Sequence, residues 1–302
     1  MKIGMIGLGR MGANMAERLI KGGHEVVGFA RRKESVDSVI DTGIEGTYSI
    51  EELVSKLSSP RIIWLMIPAG APVDDAIAKL MPLLDKGDII VDGGNSNYKD
   101  TMRRAKKLQE NSFKYVDVGT SGGIWGLTEG YSMMVGGEND VVDFLKPVLE
   151  TLAPAPDKGW GRVGAVGTGH FVKMVHNGIE YGLMQAYAEG FSILKSKEEF
   201  NLDLHHIAEI WRVGSVVRSW LLDLTSQALK ENPRLEDIEP FVQDSGEGRW
   251  TTFEAIDLDV AAPIITLSLL RRIQSRDKED FSDRILSAMR NKFGGHEIKK
   301  SK

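Results

Sequence analysis

One stretch of the chain brings together side chains that are suited to acid–base chemistry. Four of them occur at positions i, i+3, i+4 and i+7 of a predicted helix and therefore share one of its faces: Lys173, His176, Asn177 and Glu180. The other faces are almost wholly apolar, and a helix of that kind is mostly buried. Because a buried lysine or glutamate needs a partner or a task, we interpret this face as catalytic; a solvated polar stripe is the alternative.

Lysine and glutamate on one face could together support the oxidation of an alcohol. Such a reaction needs a base for the hydroxyl proton while hydride leaves carbon for a nicotinamide. A lysine can serve when desolvation or nearby cations lower its pKa, and a glutamate can act as an acid when burial raises its pKa. The presence of both indicates that one proton is removed and another is delivered elsewhere.

A glycine motif near the start of the chain predicts a dinucleotide site. Its residues follow the GxGxxG pattern: Gly7, Leu8, Gly9, Arg10, Met11 and Gly12. The motif comes directly after a predicted strand at 2–6 and opens a predicted helix at 11–21. In that position the glycines permit a tight turn and a close approach of the pyrophosphate to a helix N-terminus. A glycine-rich turn without a ligand is the alternative.

The end of the second predicted strand bears on the choice between NAD and NADP. A site for NAD usually places an acidic residue about 20 residues beyond the motif, on the ribose 2′-hydroxyl. Here Ala30 is followed by Arg31 and Arg32, whose guanidinium groups suit a 2′-phosphate. NADP is therefore the predicted cofactor, with NAD possible; the alternative is that the arginines are solvated.

Two glycine-containing loops follow later predicted strands of the same half. The first, at 93–96, contains Asn95, and the second, at 119–123, contains Ser121, Gly122 and Gly123. Open α/β sheets bind ligands at the carboxyl ends of their strands, and such loops offer backbone N–H groups and side-chain hydrogen bonds. They are suited to a carboxylate or hydroxyls, although ordinary tight turns would explain either loop alone.

The elements that must position these residues predict two domains. Strand-like runs at 2–6, 25–29, 62–67, 89–91, 114–118 and 131–135 alternate with helical patterns, which is typical of a Rossmann-type, doubly wound parallel sheet. From 168 onward the pattern is almost wholly helical, roughly at 168–197, 203–230, 249–275 and 277–291. Proline and glycine crowd 154–167 and mark a boundary. We therefore predict a dinucleotide-binding domain at 1–163 and an all-helical domain for substrate binding and dimerisation at 164–302.

Composition excludes several classes of function. The 302 residues carry a net charge of −5, which argues against a nucleic-acid partner. Because the chain has no cysteine, disulfides and thiolate chemistry are excluded, and no metal site is predicted. No apolar run approaches the roughly 20 residues that span a bilayer, and the apolar start is a strand rather than a signal peptide. A cytoplasmic protein without a membrane partner is expected.

Taken together, the motifs closely resemble the decarboxylating 6-phosphogluconate dehydrogenases. The matching segments span the whole chain: 7–12, 92–96, 121–123, 169–181 and 293–296. The most specific is the Lys173 helix, because the wider β-hydroxyacid dehydrogenase group generally follows its lysine with paired asparagines instead of His-Asn-Gly and a glutamate. The resemblance implies oxidation of 6-phosphogluconate to ribulose 5-phosphate and CO2, with reduction of NAD(P).

The resemblance also implies residue roles. Lys173 takes the C3 hydroxyl proton and assists the loss of CO2, and Glu180 protonates C1 of the enediol. The cofactor residues are those of the 7–12 motif with Arg31, Arg32, Met66 and Asn95. The carboxylate and hydroxyls of the substrate are assigned to Asn95, Ser121, Gly122, Gly123, His176 and Asn177. The phosphate is assigned to Tyr181, Arg272, Arg290 and His296, the last two reaching the neighbouring subunit of a homodimer.

The chain departs from the long form of this family in three ways. It is much shorter and resembles the compact bacterial branch, which often prefers NAD. Ser245, Gly246 and Glu247 stand where the long form has a Lys-Gly-Thr phosphate loop, and Pro68 stands where it has a cofactor-side lysine.

Two other functions are consistent with parts of the pattern. One is a β-hydroxyacid dehydrogenase acting on a small unphosphorylated acid, against which the polar His176, Glu180, Arg272 and Arg290 argue. The other is a non-catalytic dinucleotide sensor, which would not need Lys173.

Overall fold

The computed structural model describes residues 1–299 and divides into two compact units, Met1–Asn177 and Gly178–Lys302. The division falls inside one long helix, Thr168–Ser196, which therefore contributes to both units. The sequence pattern instead places the domain boundary between 163 and 164, ahead of that helix. No helix in the described part of the chain is long and apolar enough to cross a membrane.

The first unit is built on an eight-stranded sheet with the order β3-β2-β1-β4-β5-β6-β7-β8. The strands are β1 Lys2–Ile6, β2 Glu25–Phe29, β3 Glu45–Thr47, β4 Ile62–Leu65, β5 Ile89–Asp92, β6 Lys114–Ser121, β7 Ser132–Gly136 and β8 Trp160–Gly164. Neighbouring strands are parallel except for the antiparallel pair β6–β7. The predicted sheet is confirmed.

Helices cover both faces of this sheet, as a doubly wound fold requires. They are α1 Arg10–Lys21, α2 Lys33–Asp37, α3 Ile50–Ser55, α4 Ala71–Leu80, α5 Tyr98–Glu110, α6 Gly126–Glu129, α7 Asn139–Leu152 and the first part of α8 Thr168–Ser196. Strand β4 shows the two-sided burial: Ile62 and Trp64 pack in one apolar cluster, and Ile63 and Leu65 pack in the other.

The sequence pattern missed the strands at the two edges of the sheet. Strand β3 is only three residues long, and β8 carries two glycines and two exposed residues. Neither contains the apolar run that identifies a buried strand. An edge strand pairs with one neighbour and is less buried than a central strand. It can therefore form its backbone hydrogen bonds without an apolar run.

The second unit is helical, as predicted, but its helices are shorter than the pattern indicated. After α8 it contains α9 Leu204–Arg212, α10 Trp220–Glu231, α11 Glu247–Asp257, α12 Pro263–Gln274 and α13 Phe281–Gly294. The predicted helix 203–230 is interrupted where Gly214 has φ of +79° and restarts at Ser219, whose side chain caps the amide of Leu222. The predicted helix 249–275 is likewise interrupted before Pro263.

The expectation that the other faces of the Lys173 helix are buried holds only in part for the single chain, in which Met174 is buried. Val172, Ile179, Leu183 and Met184 are all exposed. The compact core of the second unit is small, with Phe191, Ala208, Leu222 and Leu229 as its buried members. Much of the apolar surface of this unit is therefore open in the single chain.

Candidate active site

The glycine motif has the geometry of a dinucleotide-binding turn. Gly7 has φ of +103° and donates its N–H to the carbonyl of Phe29 at 2.8 Å. A Cβ atom on Gly12 would lie 1.9 Å from the Gly7 carbonyl oxygen, whereas one on Gly9 would meet nothing within 4 Å. Helix α1 begins directly after Gly9, without a side-chain cap. The turn is closed on its protein side and open at a helix N-terminus, which suits a pyrophosphate.

The remaining predicted cofactor residues lie around this turn. Leu8 is buried, Met11 is half-buried and Arg10 is exposed. Met66 follows β4, and its carbonyl oxygen would lie 2.2 Å from a Cβ atom on Gly7. Met66 is thus packed against the motif, so side chains larger than glycine are excluded at position 7.

Arg31 and Arg32 follow β2 and are exposed, with Arg32 at the N-cap of α2. Among residues 1–299 no side chain or carbonyl forms a hydrogen bond or ion pair with either guanidinium group. Both groups are therefore available to an external anion.

A buried carboxylate shapes the first predicted substrate loop. Asp92, at the end of β5, is fully buried and accepts hydrogen bonds from Ser96 Oγ at 2.8 Å and Gly94 N at 3.1 Å. It also accepts one from the hydroxyl of Tyr115 at 3.0 Å, and Arg104 lies 3.8 Å away. Burial, followed by the charge of Asp92, raises the pKa of Tyr115, so this hydroxyl remains a donor.

Asn95 joins the two predicted loops. It has φ of +52°, its Nδ2 donates to the carbonyl of Thr120 at 3.0 Å, and its Oδ1 accepts from the Thr120 amide at 2.8 Å. Ser121 is the last residue of β6 and is half-buried. The next two residues, Gly122 and Gly123, have φ of +130° and +52°. L side chains rarely adopt these angles, and the two glycines leave the backbone of the turn without side chains that would cover it.

The predicted base lies in a polar cluster on the same unit. Lys173 is only 5% exposed, and its Nζ donates to Asn177 Oδ1 at 2.6 Å and lies 3.3 Å from His176 Nδ1. The His176 ring nitrogen is 3.0 Å from the same Asn177 oxygen. The structure therefore brings three residues of the predicted face into contact, Lys173, His176 and Asn177, and their catalytic roles stay predictions.

Sequence reasoning missed two residues of β6 that contact the start of α8. A Cβ atom on Gly119 would lie 2.4 Å from Cβ of Lys173, so the strand lies directly against Lys173. Asp117 is fully buried and accepts from the amides of Gly167 and His170. The only sequence signal was a carboxylate inside an otherwise apolar strand, a residue type that is rarely buried unless it is paired.

In the second unit the structure brings together two of the predicted phosphate residues. The guanidinium of Arg272 lies 3.5 Å from the centre of the Tyr181 ring and donates to the carbonyl of Gln243 at 2.8 Å. The Tyr181 hydroxyl accepts the amide of Ser245 at 3.1 Å and lies 3.1 Å from its Oγ. Tyr181 therefore anchors the loop that precedes α11 and supports Arg272.

Two carboxylates lie in that loop and at the first residue of α11. Asp244 is nearly buried and pairs with Arg249 at 2.7 Å; although burial opposes it, this bond holds the pKa of Asp244 below its ordinary value. Glu247 accepts a hydrogen bond from Ser245 Oγ at 2.5 Å. Arg249 is thus occupied by Asp244, and Glu247 adds negative charge at the start of α11.

The other predicted residues of this unit lie on α8, on α13 and beyond it. Glu180 is half-buried on α8, and Arg290 is exposed on α13. His296 follows Gly295, the C-cap of α13, and its carbonyl accepts from Asn291 Nδ2 at 2.9 Å. Their roles stay predictions. Within residues 1–299 no group of three or more His, Asp or Glu side chains is arranged to hold a metal ion.

Comparison with known families covers both parts of the chain. Residues 2–167 match the family model described as the NAD binding domain of 6-phosphogluconate dehydrogenase. Residues 169–302 match the model of the 6-phosphogluconate dehydrogenase C-terminal domain. The two matches meet at the beginning of α8.

Individual relatives agree with these matches. A protein of Haloferax volcanii named as an NAD(+)-dependent, decarboxylating 6-phosphogluconate dehydrogenase is 44% identical over 99% of this chain and 98% of its own length. A solved Plasmodium falciparum 6-phosphogluconate dehydrogenase, studied with NADP+ and with 6-phosphogluconate, has a TM-score of 0.84 at 30% identity; it covers all of this chain, which spans 66% of the Plasmodium chain. A Mycobacterium tuberculosis 3-hydroxyisobutyrate dehydrogenase has a TM-score of 0.72 over 88% of this chain and 90% of its own, at 21% identity, and shares the fold.

Proposed function

We propose that this chain, which belongs to the 6-phosphogluconate dehydrogenase family, converts 6-phosphogluconate into ribulose 5-phosphate and CO2 with NAD(P) as the oxidant. The observation that carries the proposal is the buried Lys173, whose Nζ is held by Asn177 Oδ1 at 2.6 Å. A base fixed in this way beside a strand that ends in an open glycine turn is what the oxidation of a bound hydroxyl requires.

Proton transfers by two side chains account for the reaction. The dinucleotide supplies the hydride acceptor, and the open N-terminus of α1 suits its pyrophosphate. Lys173 accepts the proton of the C3 hydroxyl as the carbonyl forms. It then returns that proton to the carbonyl oxygen as the C1–C2 bond breaks and CO2 leaves. Glu180 finally delivers a proton to the carbon of the enediol that becomes C1 of ribulose 5-phosphate, while Lys173 takes back the proton of the adjacent hydroxyl as the ketone forms.

Polar groups of the first unit are suited to a carboxylate and hydroxyls, and polar groups of the second unit are suited to a phosphate. Asn95 and the Ser121–Gly123 turn offer an amide, a hydroxyl and backbone N–H groups for the carboxylate and hydroxyls. Arg272, stacked on Tyr181, offers a preorganised guanidinium for the phosphate. The negative charge of Glu247 disfavours an anion at the loop before α11. The positive charge that binds the phosphate must therefore come from Arg272, with Arg290 and His296.

The activity is tested directly by incubating the purified protein with 6-phosphogluconate and each cofactor. We expect one CO2 for each reduced cofactor, with 3-hydroxyisobutyrate as the control substrate. Cofactor reduction without CO2, or preference for the control, would favour the unphosphorylated β-hydroxyacid alternative. Binding of the dinucleotide without any turnover would favour the sensor.

NADP is the proposed preferred cofactor. The relatives include an enzyme named as NAD-dependent and one solved with NADP+, so the preference rests on Arg31 and Arg32. Changing both to alanine should lower kcat/KM for NADP by at least about tenfold, since charged hydrogen bonds are worth about 1.5–3 kcal/mol each, and leave kcat/KM for NAD nearly unchanged. Lys33→Ala, which removes the adjacent charge, is the matched control. Wild-type preference for NAD would refute this assignment.

A homodimer is also part of the proposal. Many large apolar side chains of the second unit are exposed, Ile193, Phe253 and Ile264 among them, and exposed apolar surface is typical of protein–protein interfaces. We propose that a second copy covers this surface and that Arg290 and His296 of each chain complete the phosphate site of the other.

A mixed dimer tests this sharing of residues. One chain carries Lys173→Met and the other carries Arg290→Ala with His296→Ala, and the two are purified through different tags. If the site is shared, both defects fall in one pocket and the other pocket is intact, so about half of the wild-type activity returns. A mixed dimer as inactive as either parent dimer would show that the tail acts in its own subunit.

A further inference from the structure

We propose that Asp117 is a positioning residue that fixes Lys173 relative to the Ser121–Gly123 turn. The inference rests on the proposed role of Lys173 as the base. It concerns three parts of the first unit: strand β6, the beginning of α8 and the turn that follows β6.

The carboxylate of Asp117 holds the beginning of α8 with both of its oxygens. Oδ1 accepts from the amide of Gly167 at 2.6 Å, and Oδ2 accepts from the amide of His170 at 2.8 Å. Amides at a helix start lack partners within the helix, and a negative charge is favourable there. Asp117 therefore sets the position of the turn immediately before Lys173.

The same strand touches Lys173 itself two residues further on. Asp117 and Gly119 lie on the same face of β6, since side chains alternate along a strand. A Cβ atom on Gly119 would lie 2.4 Å from Lys173 Cβ and 2.6 Å from the Gly169 carbonyl oxygen. Another two residues on, Ser121 begins the predicted substrate turn. One rigid strand thus determines the distance from the base to that turn.

The beginning of α8 is packed closely against its neighbours in the first unit. A Cβ atom on Gly136 would lie 2.4 Å from Asp117 Oδ1, and one on Gly169 would lie 2.5 Å from the Met134 carbonyl oxygen. His170 is 1% exposed, and its Nδ1 lies 2.8 Å from Thr101 Oγ1. A helix start packed this tightly can move only if one of these contacts is changed.

A buried carboxylate at position 117 is unfavourable for the stability of the fold unless it is compensated. Burial raises the pKa of Asp117, although the charge of His170 and the two amides oppose this effect. Removing a charge from water is costly, and the hydrogen bonds gained do little more than offset this cost. The compensating advantage of a carboxylate is that two oxygens of equal acceptor strength receive two amides at once.

The test compares Asp117→Asn with Asp88→Asn. Asparagine keeps the size of the side chain but turns an NH2 group towards one of the two amides, so the helix start must shift. Asp88 is an equally buried carboxylate directly before β5, where it accepts from Arg61 N and Asp85 N and pairs with the Arg61 guanidinium at 2.8 Å. Both variants lose a buried acceptor, but only Asp117→Asn affects Lys173.

We expect kcat to fall about 100-fold in Asp117→Asn, the size of effect that a displacement near 1 Å produces, with KM for NAD(P) and 6-phosphogluconate little changed. In Asp88→Asn the Tm should change while kcat stays near wild type. Gly119→Ala, which displaces Lys173 without touching the carboxylate, should reproduce the loss of kcat. Wild-type kcat in folded Asp117→Asn, or parallel losses of kcat in both Asp variants, would overturn the proposal.

Hydrogen exchange separates this inference from the proposed function. The amides at 169–173 should exchange faster in Asp117→Asn than in the wild type, and their exchange rates should be unchanged in Asp88→Asn. Both expectations hold whatever the substrate of the enzyme is. Absence of wild-type turnover of 6-phosphogluconate would contradict the proposed function. Unchanged exchange at 169–173 in Asp117→Asn would contradict the positioning role.

Discussion

Lys173→Met is expected to reduce kcat by about 100- to 10,000-fold, the usual contribution of a positioned base, with binding of NAD(P) and 6-phosphogluconate close to normal. Methionine fills a similar volume in this buried position but cannot accept a proton. The hydrogen bond of Nζ to Asn177 Oδ1 is lost as well, although the amide remains in place. Because the residues assigned to ligand binding are unchanged, the loss should appear in kcat rather than in the dissociation constants.

The measurement combines steady-state turnover with titration of each ligand. Lys195→Met is the matched control, because Lys195 is an exposed lysine on the same helix and should tolerate the change. Residual activity of Lys173→Met within about tenfold of wild type would place the base elsewhere. Equal loss in Lys195→Met would indicate damage to the helix instead.

Glu180→Gln is expected to block a different step, the protonation of the enediol at C1. The oxidation and the loss of CO2 do not need this acid, so overall turnover should fall by about 100-fold or more while a reduced-cofactor burst in the first turnover survives. By microscopic reversibility, the group that delivers the C1 proton also removes it. Exchange of the C1 hydrogen of ribulose 5-phosphate with deuterium from the solvent should therefore disappear in this variant.

Glu189→Gln is the control for this experiment. Glu189 is exposed on the same helix and accepts a hydrogen bond from Gln185 at 2.8 Å, so its replacement should leave turnover and C1 exchange unchanged. Full turnover or undiminished C1 exchange in Glu180→Gln would remove Glu180 from the mechanism.

Features that depend on a few neighbouring residues could be predicted from the sequence. The GxGxxG turn needs small residues at fixed positions because Gly7 adopts a positive φ and Gly12 contacts its carbonyl oxygen. Spacing of three and four residues on a helix likewise brought Lys173 within reach of His176 and Asn177. Both features are local, so no knowledge of distant contacts was required.

Contacts between distant segments were decided by the tertiary structure alone. Gly119 is 54 positions from Lys173 in the sequence. Position 119 requires glycine only because α8 packs on β6 there and leaves no room for a side chain. Asp117 and the Tyr181 contact with Ser245 are of the same kind. The exposed faces of α8 could not be predicted either, since apolar periodicity shows that a face avoids water without showing which surface covers it.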